Sequence, residues 1–136
     1  MNTKPYLSLD DARKIATAAE AEAKRNDWAV TIAVVDDGGH LLWLQRLDGA
    51  APVSSYIGPE KARTAALGRR ETKAYEDMIN GGRYAFLSAP RIEALLEGGV
   101  PIVVDGHVVG AVGVSGVKSS EDVQIAKAGI AALGLG

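Results

Sequence analysis

Two β-branched apolar runs, each folded back on itself by an Asp-Gly turn, constrain this chain more than any other feature. Ala29 to Val35 is mostly β-branched; Asp36-Asp37-Gly38-Gly39 then supplies turn chemistry, and a second apolar run spans Leu41 to Leu47. The pattern repeats with Val100 to Val104, Asp105-Gly106, and His107 to Val114. Glycine takes up positive φ without a Cβ penalty and aspartate tolerates it, so Asp-Gly between two such runs predicts a tight antiparallel hairpin. His40 and His107 fall just beyond the two turns.

Helical segments surround the hairpins. Ser8 precedes an Ala-rich stretch with Asp10 and Asp11 in its first turn, and Leu9, Ala12, Ile15, Ala16, Ala19 and Ala23 recur at three- and four-residue spacing. That predicts a capped helix from about Leu9 to Asn26 with one buried face. A loop is expected over Asp48 to Tyr56. Pro59, near a first helical position, then opens a helix through Leu67, with Gly68 as its stop. Glu71 to Asn80 has helical character and ends at Gly81-Gly82, whereas Arg83 to Gly99 mixes short apolar pieces with turn residues. Ser119 or Ser120 is expected to cap a last helix, with Glu121 and Asp122 in its first turn. This order predicts an α/β (α+β) fold: one domain over residues 1–136, an antiparallel sheet covered by helices in a profilin-like α/β/α sandwich.

Several function classes are excluded or disfavoured. The chain has no cysteine, which removes disulfides, thiolate catalysis and cysteine-based zinc or iron–sulfur sites. Fifteen basic against seventeen acidic side chains, net −2, give no electrostatic footprint for nucleic acid or anionic lipid. Nothing approaches the roughly 18 consecutive apolar residues of a membrane span, and the first residues lack a basic segment followed by an apolar run, so a cytoplasmic location is expected. HExxH, facial-triad and GxSxG patterns are likewise missing.

Five segments, in order, carry a specific resemblance: AAEAEAKRNDWAVTIAVVDDGGHLL, the RLDGA of Arg46 to Ala50, the EKARTAA of Glu60 to Ala66, the GGVPIVVDGHVVGAVGVSG of Gly98 to Gly116, and the closing EDVQIAKAG. Over about Leu7 to Leu133 the chain resembles the GlcG/HbpS family, met also as the C-terminal domain of PduO-type proteins. The pattern departs after Leu67, where Gly68 to Thr72 replaces a more typical aromatic and proline-containing stretch. The resemblance implies an α/β/α fold, assembly into dimers or larger homo-oligomers and, for some members, binding of haem or a related tetrapyrrole. It does not imply one shared reaction.

Candidate residues follow from residue chemistry. The small residues around Gly113, Ser115 and Gly116 end a strand and enter a helix, so backbone amides there can face a carboxylate; equally, they permit close helix–sheet contact. Lys61 and Thr64, three apart, share a helix face that could meet a ligand carboxylate or simply solvent. Arg46 and Asp48 flank a loop at a strand end, as binding groups or as a local turn. Arg63, Arg69, Arg70 and Lys73 lie among Glu60, Glu71 and Glu76 and read as a mixed-charge face. Haem iron is usually held by His, Cys, Met or Tyr, which leaves His40, His107, Met78 and four tyrosines here. His40 is preferred because it belongs to a matched segment. The leading expectation is an oligomeric protein that binds haem, a tetrapyrrole or another carboxylate-bearing small molecule. The alternatives are an enzyme on a small carboxylated metabolite, using Asp36, His40, Lys61 or Asp122 for proton transfer, or an accessory scaffold for a partner enzyme.

Overall fold

The computed structural model describes residues 1–135. Its elements are α1 (Leu9–Arg25), β1 (Thr31–Asp36), β2 (Leu41–Arg46), α2 (Ser54–Gly68), α3 (Lys73–Asn80), a 3-10 turn (Tyr84–Ser88), β3 (Gly99–Val104), β4 (His107–Ser115) and α4 (Ser119–Ala131). The strands form one antiparallel sheet in the order β2-β1-β4-β3, so both expected hairpins are present and β1 and β4 join them at the centre. Helices α1 and α4 pack together on one face and α2 lies on the other, which gives the expected α/β/α layering.

Strand β1 shows how the layers are filled. Its side chains alternate, as the pleat requires. Ile32 and Val34 enter the larger core with Ile15, Ile102, Val112, Val114 and Ile125, beneath α1 and α4. Ala33 and Val35 point the other way and meet Ala62, Ala65, Ala66 and Ala111. This second core is nearly all alanine, so α2 sits close to the strands. A Cβ at Gly113 would land on the Gly58 carbonyl oxygen and on the Ala62 backbone nitrogen. Only glycine fits at that contact.

The start of α1 is as expected: Asp11 N–H donates to Ser8 Oγ at 3.1 Å and Ser8 N–H to Asp11 Oδ2 at 2.9 Å, a reciprocal cap. Two other helix starts need correction. Helix α2 begins at Ser54 and not at Pro59, which lies inside it. Ser54 is buried, its Oγ shares a hydrogen bond of 2.7 Å with Thr31 Oγ1, and it donates to Ala51 O at 2.6 Å; this anchoring on β1 holds a turn ahead of the proline. Helix α4 is capped at Lys118, with Ser119 and Ser120 already helical. Its first amides are met by carboxylates reaching back, Lys118 N–H to Glu121 Oε1 at 3.2 Å and Val117 N–H to Asp122 Oδ1 at 3.3 Å. Among the described residues, no helix is long and apolar enough to cross a membrane.

Candidate functional site

The β1–β2 turn builds a fixed histidine. Asp36 Oδ1 accepts hydrogen bonds from Gly38 N–H and His40 N–H, both 2.9 Å, and lies 3.1 Å from His40 Nδ1. The Asp36 amide in turn donates to His40 O at 2.9 Å, closing the hairpin. The imidazole is therefore held through Nδ1, although its side chain is 81% exposed. Its Nε2 has no hydrogen-bond partner among the described residues.

His40 borders a cleft of about 540 Å³ between this turn and α2. Leu41, Leu67 and Pro59 make its apolar walls, and Arg63 and Arg91 line it as well. Leu41 and Leu67 are 52% and 40% exposed, as apolar side chains facing an open cleft would be. Arg63 is paired with Glu60 Oε1, and Glu60 Oε2 is buried without a hydrogen-bond partner. Arg91 makes no ion pair among the described residues and sits at φ +70°, a left-handed conformation uncommon for arginine.

The remaining candidates are not gathered at this cleft. Arg46 and Asp48 lie at the opposite end of β2, where they line a separate cleft of about 460 Å³ with Trp28, Glu20 and Lys24. His107 lines a third, of about 470 Å³, with Lys4 and Arg69. Among the tyrosines, Tyr75 is buried edge-on against Phe86, 5.5 Å between ring centres, and Tyr6, Tyr56 and Tyr84 are exposed on the surface.

Lys61 and Thr64 leave α2 in different directions, and both are buried. Lys61 Nζ donates to Val114 O at 3.0 Å and to Asp122 Oδ2 at 3.1 Å, which ties α2 to α4 past the end of the sheet. Burial pushes the Asp122 carboxyl above its ordinary value, and the neighbouring Lys61 cation only partly opposes this. Each member of the pair occupies the other, so neither is open to a substrate for proton transfer. Thr64 Oγ1 donates to Glu93 O at 2.6 Å and accepts from Glu93 N–H at 3.0 Å, pinning the segment that carries Arg91.

The strand exit around Gly113, Ser115 and Gly116 is filled by the protein itself. Gly113 abuts α2, Ser115 is buried, and a Cβ at Gly116 would strike Ala29 and Val30. Close packing, the alternative reading of these small residues, describes this corner; an acidic guest has no space there within one chain. The basic run is likewise spoken for locally: Arg69 donates to Ala66 O at 2.9 Å, Arg70 stacks over Tyr75 at 5.4 Å, and Lys73 meets Asp77 at 2.9 Å.

Sequence reasoning missed Pro59, Leu67 and Arg91 as walls of the cleft. Pro59 and Leu67 are eight apart, two helical turns, so they share a face; nothing local marks Arg91. Among the described residues, no group of three or more His, Asp or Glu is placed to hold a metal ion. His40 therefore stands without a second histidine or carboxylate grouping of that kind around it.

The comparisons with known proteins agree with this architecture. A family model described as "Haem degrading protein HbpS-like" matches residues 7–131. Protein GlcG of Escherichia coli (strain K12) is 61% identical over 115 residues, 85% of each chain. The crystal structure of a double mutant of Streptomyces reticuli HbpS superposes with a TM-score of 0.87 at 32% identity, over 98% of this chain and 90% of that one. The crystal structure of a PduOC:heme complex superposes with a TM-score of 0.86 at 29% identity, over 97% and 98% of the two chains. With the matched model spanning both hairpins and all four α-helices, and GlcG this similar, the chain belongs to the HbpS-like family.

Proposed function

We propose that this protein binds haem, or another tetrapyrrole bearing carboxylates, in the cleft beside His40, and that it does so as a homo-oligomer. The observation that carries the reading is the histidine itself: a ring tethered through Nδ1, with Nε2 unpartnered, at the mouth of a cleft with apolar walls and two arginines. The residue types fit the group. Imidazole nitrogen is the commonest protein donor to haem iron, Leu41, Leu67 and Pro59 suit the apolar macrocycle, and guanidinium forks match propionate carboxylates. Bound haem would supply an iron centre able to change oxidation state, which no side chain here provides. The relatives support the same reading, since one neighbouring structure is a heme complex and the matching family is described as haem degrading.

Titration with hemin tests it. A Soret shift that saturates at micromolar hemin is expected for the wild type, with loss of that shift in His40→Ala and no change in His107→Ala. A wild type that leaves the hemin spectrum unaltered would end the proposal. Assembly into homo-oligomers accords with Leu44, Val53 and Tyr56, which are 44%, 57% and 75% exposed on the side of β2 and α2. Light scattering returning the mass of one chain would count against it.

A further inference from the structure

We propose that Asp36 is the positioning residue of the iron-binding histidine: its carboxylate holds the proton of the His40 imidazole on Nδ1, presents Nε2 as the lone-pair donor, and lowers the reduction potential of an iron held there. This rests on the reading of His40 as the haem ligand. What it adds is the identity of the group that orients and tunes that ligand.

The argument begins with the turn. A neutral imidazole carries one N–H, and the proton sits on whichever nitrogen faces an acceptor. His40 Nδ1 lies 3.1 Å from Asp36 Oδ1 and 3.3 Å from Oδ2, so both oxygens of the carboxylate, which when ionised can accept but not donate, are within reach of that nitrogen. In free imidazole side chains the Nε2–H form is the more common, so the hairpin inverts the default. The carboxylate cannot swing away easily, because Oδ1 is held by the Gly38 and His40 amides, both 2.9 Å away. Its backbone is fixed as well, through the Asp36 amide on His40 O and pairing with Gly110 of β4. Packing does little for a ring this exposed; the hydrogen bonds of the turn do the orienting.

Among the described residues, the ion-pair partner of Asp36 is His40, and no other charged side chain shares the carboxylate. A carboxylate bonded to Nδ1–H makes Nε2 a stronger donor, and a stronger donor stabilises ferric over ferrous iron.

Asp36→Asn is the informative variant, because an amide oxygen can still accept from the Gly38 and His40 amides and keep the turn while the charge is lost. In the full-length protein titrated with hemin, Asp36→Asn is expected to weaken binding roughly ten- to a hundredfold. Its iron reduction potential should shift upward relative to the wild type, a readout that a purely structural role would leave in place. If His40→Ala binds hemin as the wild type does, the ligand assignment fails and this inference with it. If His40→Ala loses hemin while Asp36→Asn matches the wild type in affinity and potential, the inference alone fails. Should Asp36→Asn not fold, nitrogen NMR of the haem-free wild type decides, at a pH where the imidazole is neutral: a majority Nδ1–H tautomer at His40 is expected, and a majority Nε2–H form overturns the proposal.

Discussion

The Lys61 ammonium stands 3.1 Å from the Asp122 carboxylate, both side chains are 3% exposed, and the two residues belong to helices on opposite faces of the sheet. Removing the cation leaves Asp122 buried opposite nothing and Val114 O without its donor. Lys61→Met is expected to cost about 3–5 kcal/mol at neutral pH, and the apolar double variant Lys61→Met/Asp122→Leu to recover most of it. Urea unfolding of the three proteins measures both. A single variant as stable as the wild type would show that the tie contributes nothing.

The same pair sets a pH dependence whose sign is unusual for a carboxylate. Burial raises the Asp122 pKa above 3.8 in the folded state. The folded protein therefore binds the proton more readily than the unfolded chain, and the stability Asp122 contributes is full below 3.8 and lost as pH rises through the raised value. Asp122→Asn does not titrate. The stability of the wild type relative to Asp122→Asn should thus fall as pH increases across the acidic range, and a difference that stays flat or grows would contradict this.

Asp11 works in the opposite sense. The Ser8 amide holds its carboxyl below 3.8, with desolvation opposing and the Ser8 hydroxyl and Lys14 helping. Its contribution is present above that value and disappears as pH falls through the lowered one. Ser8→Ala, which removes one half of the reciprocal cap, should destabilise by about 1 kcal/mol, seen as a lower urea midpoint with an unchanged slope. An unchanged midpoint would mean that the cap is replaced by water at no loss.

Gly113→Ala tests how closely α2 lies on the sheet. The new methyl would fall on the Gly58 carbonyl and the Ala62 amide, backbone atoms that cannot rotate aside, so a loss of about 1–3 kcal/mol or more is expected. Gly58→Ala is the contrast, since its Cβ would meet Thr31 Cγ2 at 3.3 Å and the exchange also favours the helix. Thermal melts should separate the two clearly, with Gly113→Ala far below Gly58→Ala. Equal melting temperatures would refute the close approach.

If hemin occupies the cleft as proposed, Arg63→Ala and Arg91→Ala should each weaken its binding while leaving the Soret position unchanged, because in that reading they meet carboxylates and not iron. A charge-assisted hydrogen bond of about 1.5–3 kcal/mol corresponds to roughly ten- to a hundredfold in affinity. Fluorescence quenching of Trp28 and Trp43 by bound hemin gives the titration. Full affinity in both variants would remove the arginines from the site.

The two hairpins and α1 were legible because their determinants are local: β-branched runs, Asp-Gly turns, and Ser8 three residues before Asp11. The start of α2 was not, because what extends it back to Ser54 is a hydroxyl on Thr31, 23 residues away. Lys61 looked like any helix-face lysine, since its partner lies 61 residues on. His40 could be singled out from the matched segment it belongs to, and Asp36 from its chemistry, but their partnership needed the turn's geometry. Arg91 carried no signal, for its position depends on Thr64 gripping Glu93 across 29 residues.

The near-contact of α2 with β4 at Gly113 also bears on the cleft, whose wall residues Pro59, Arg63 and Leu67 ride on that helix. A helix seated backbone-to-backbone cannot roll or slide without collision, so the backbone that carries this wall is held in place by the sheet. If a macrocycle docks here as proposed, little backbone ordering entropy is left to lose on that side, and discrimination between ligands should act through shape.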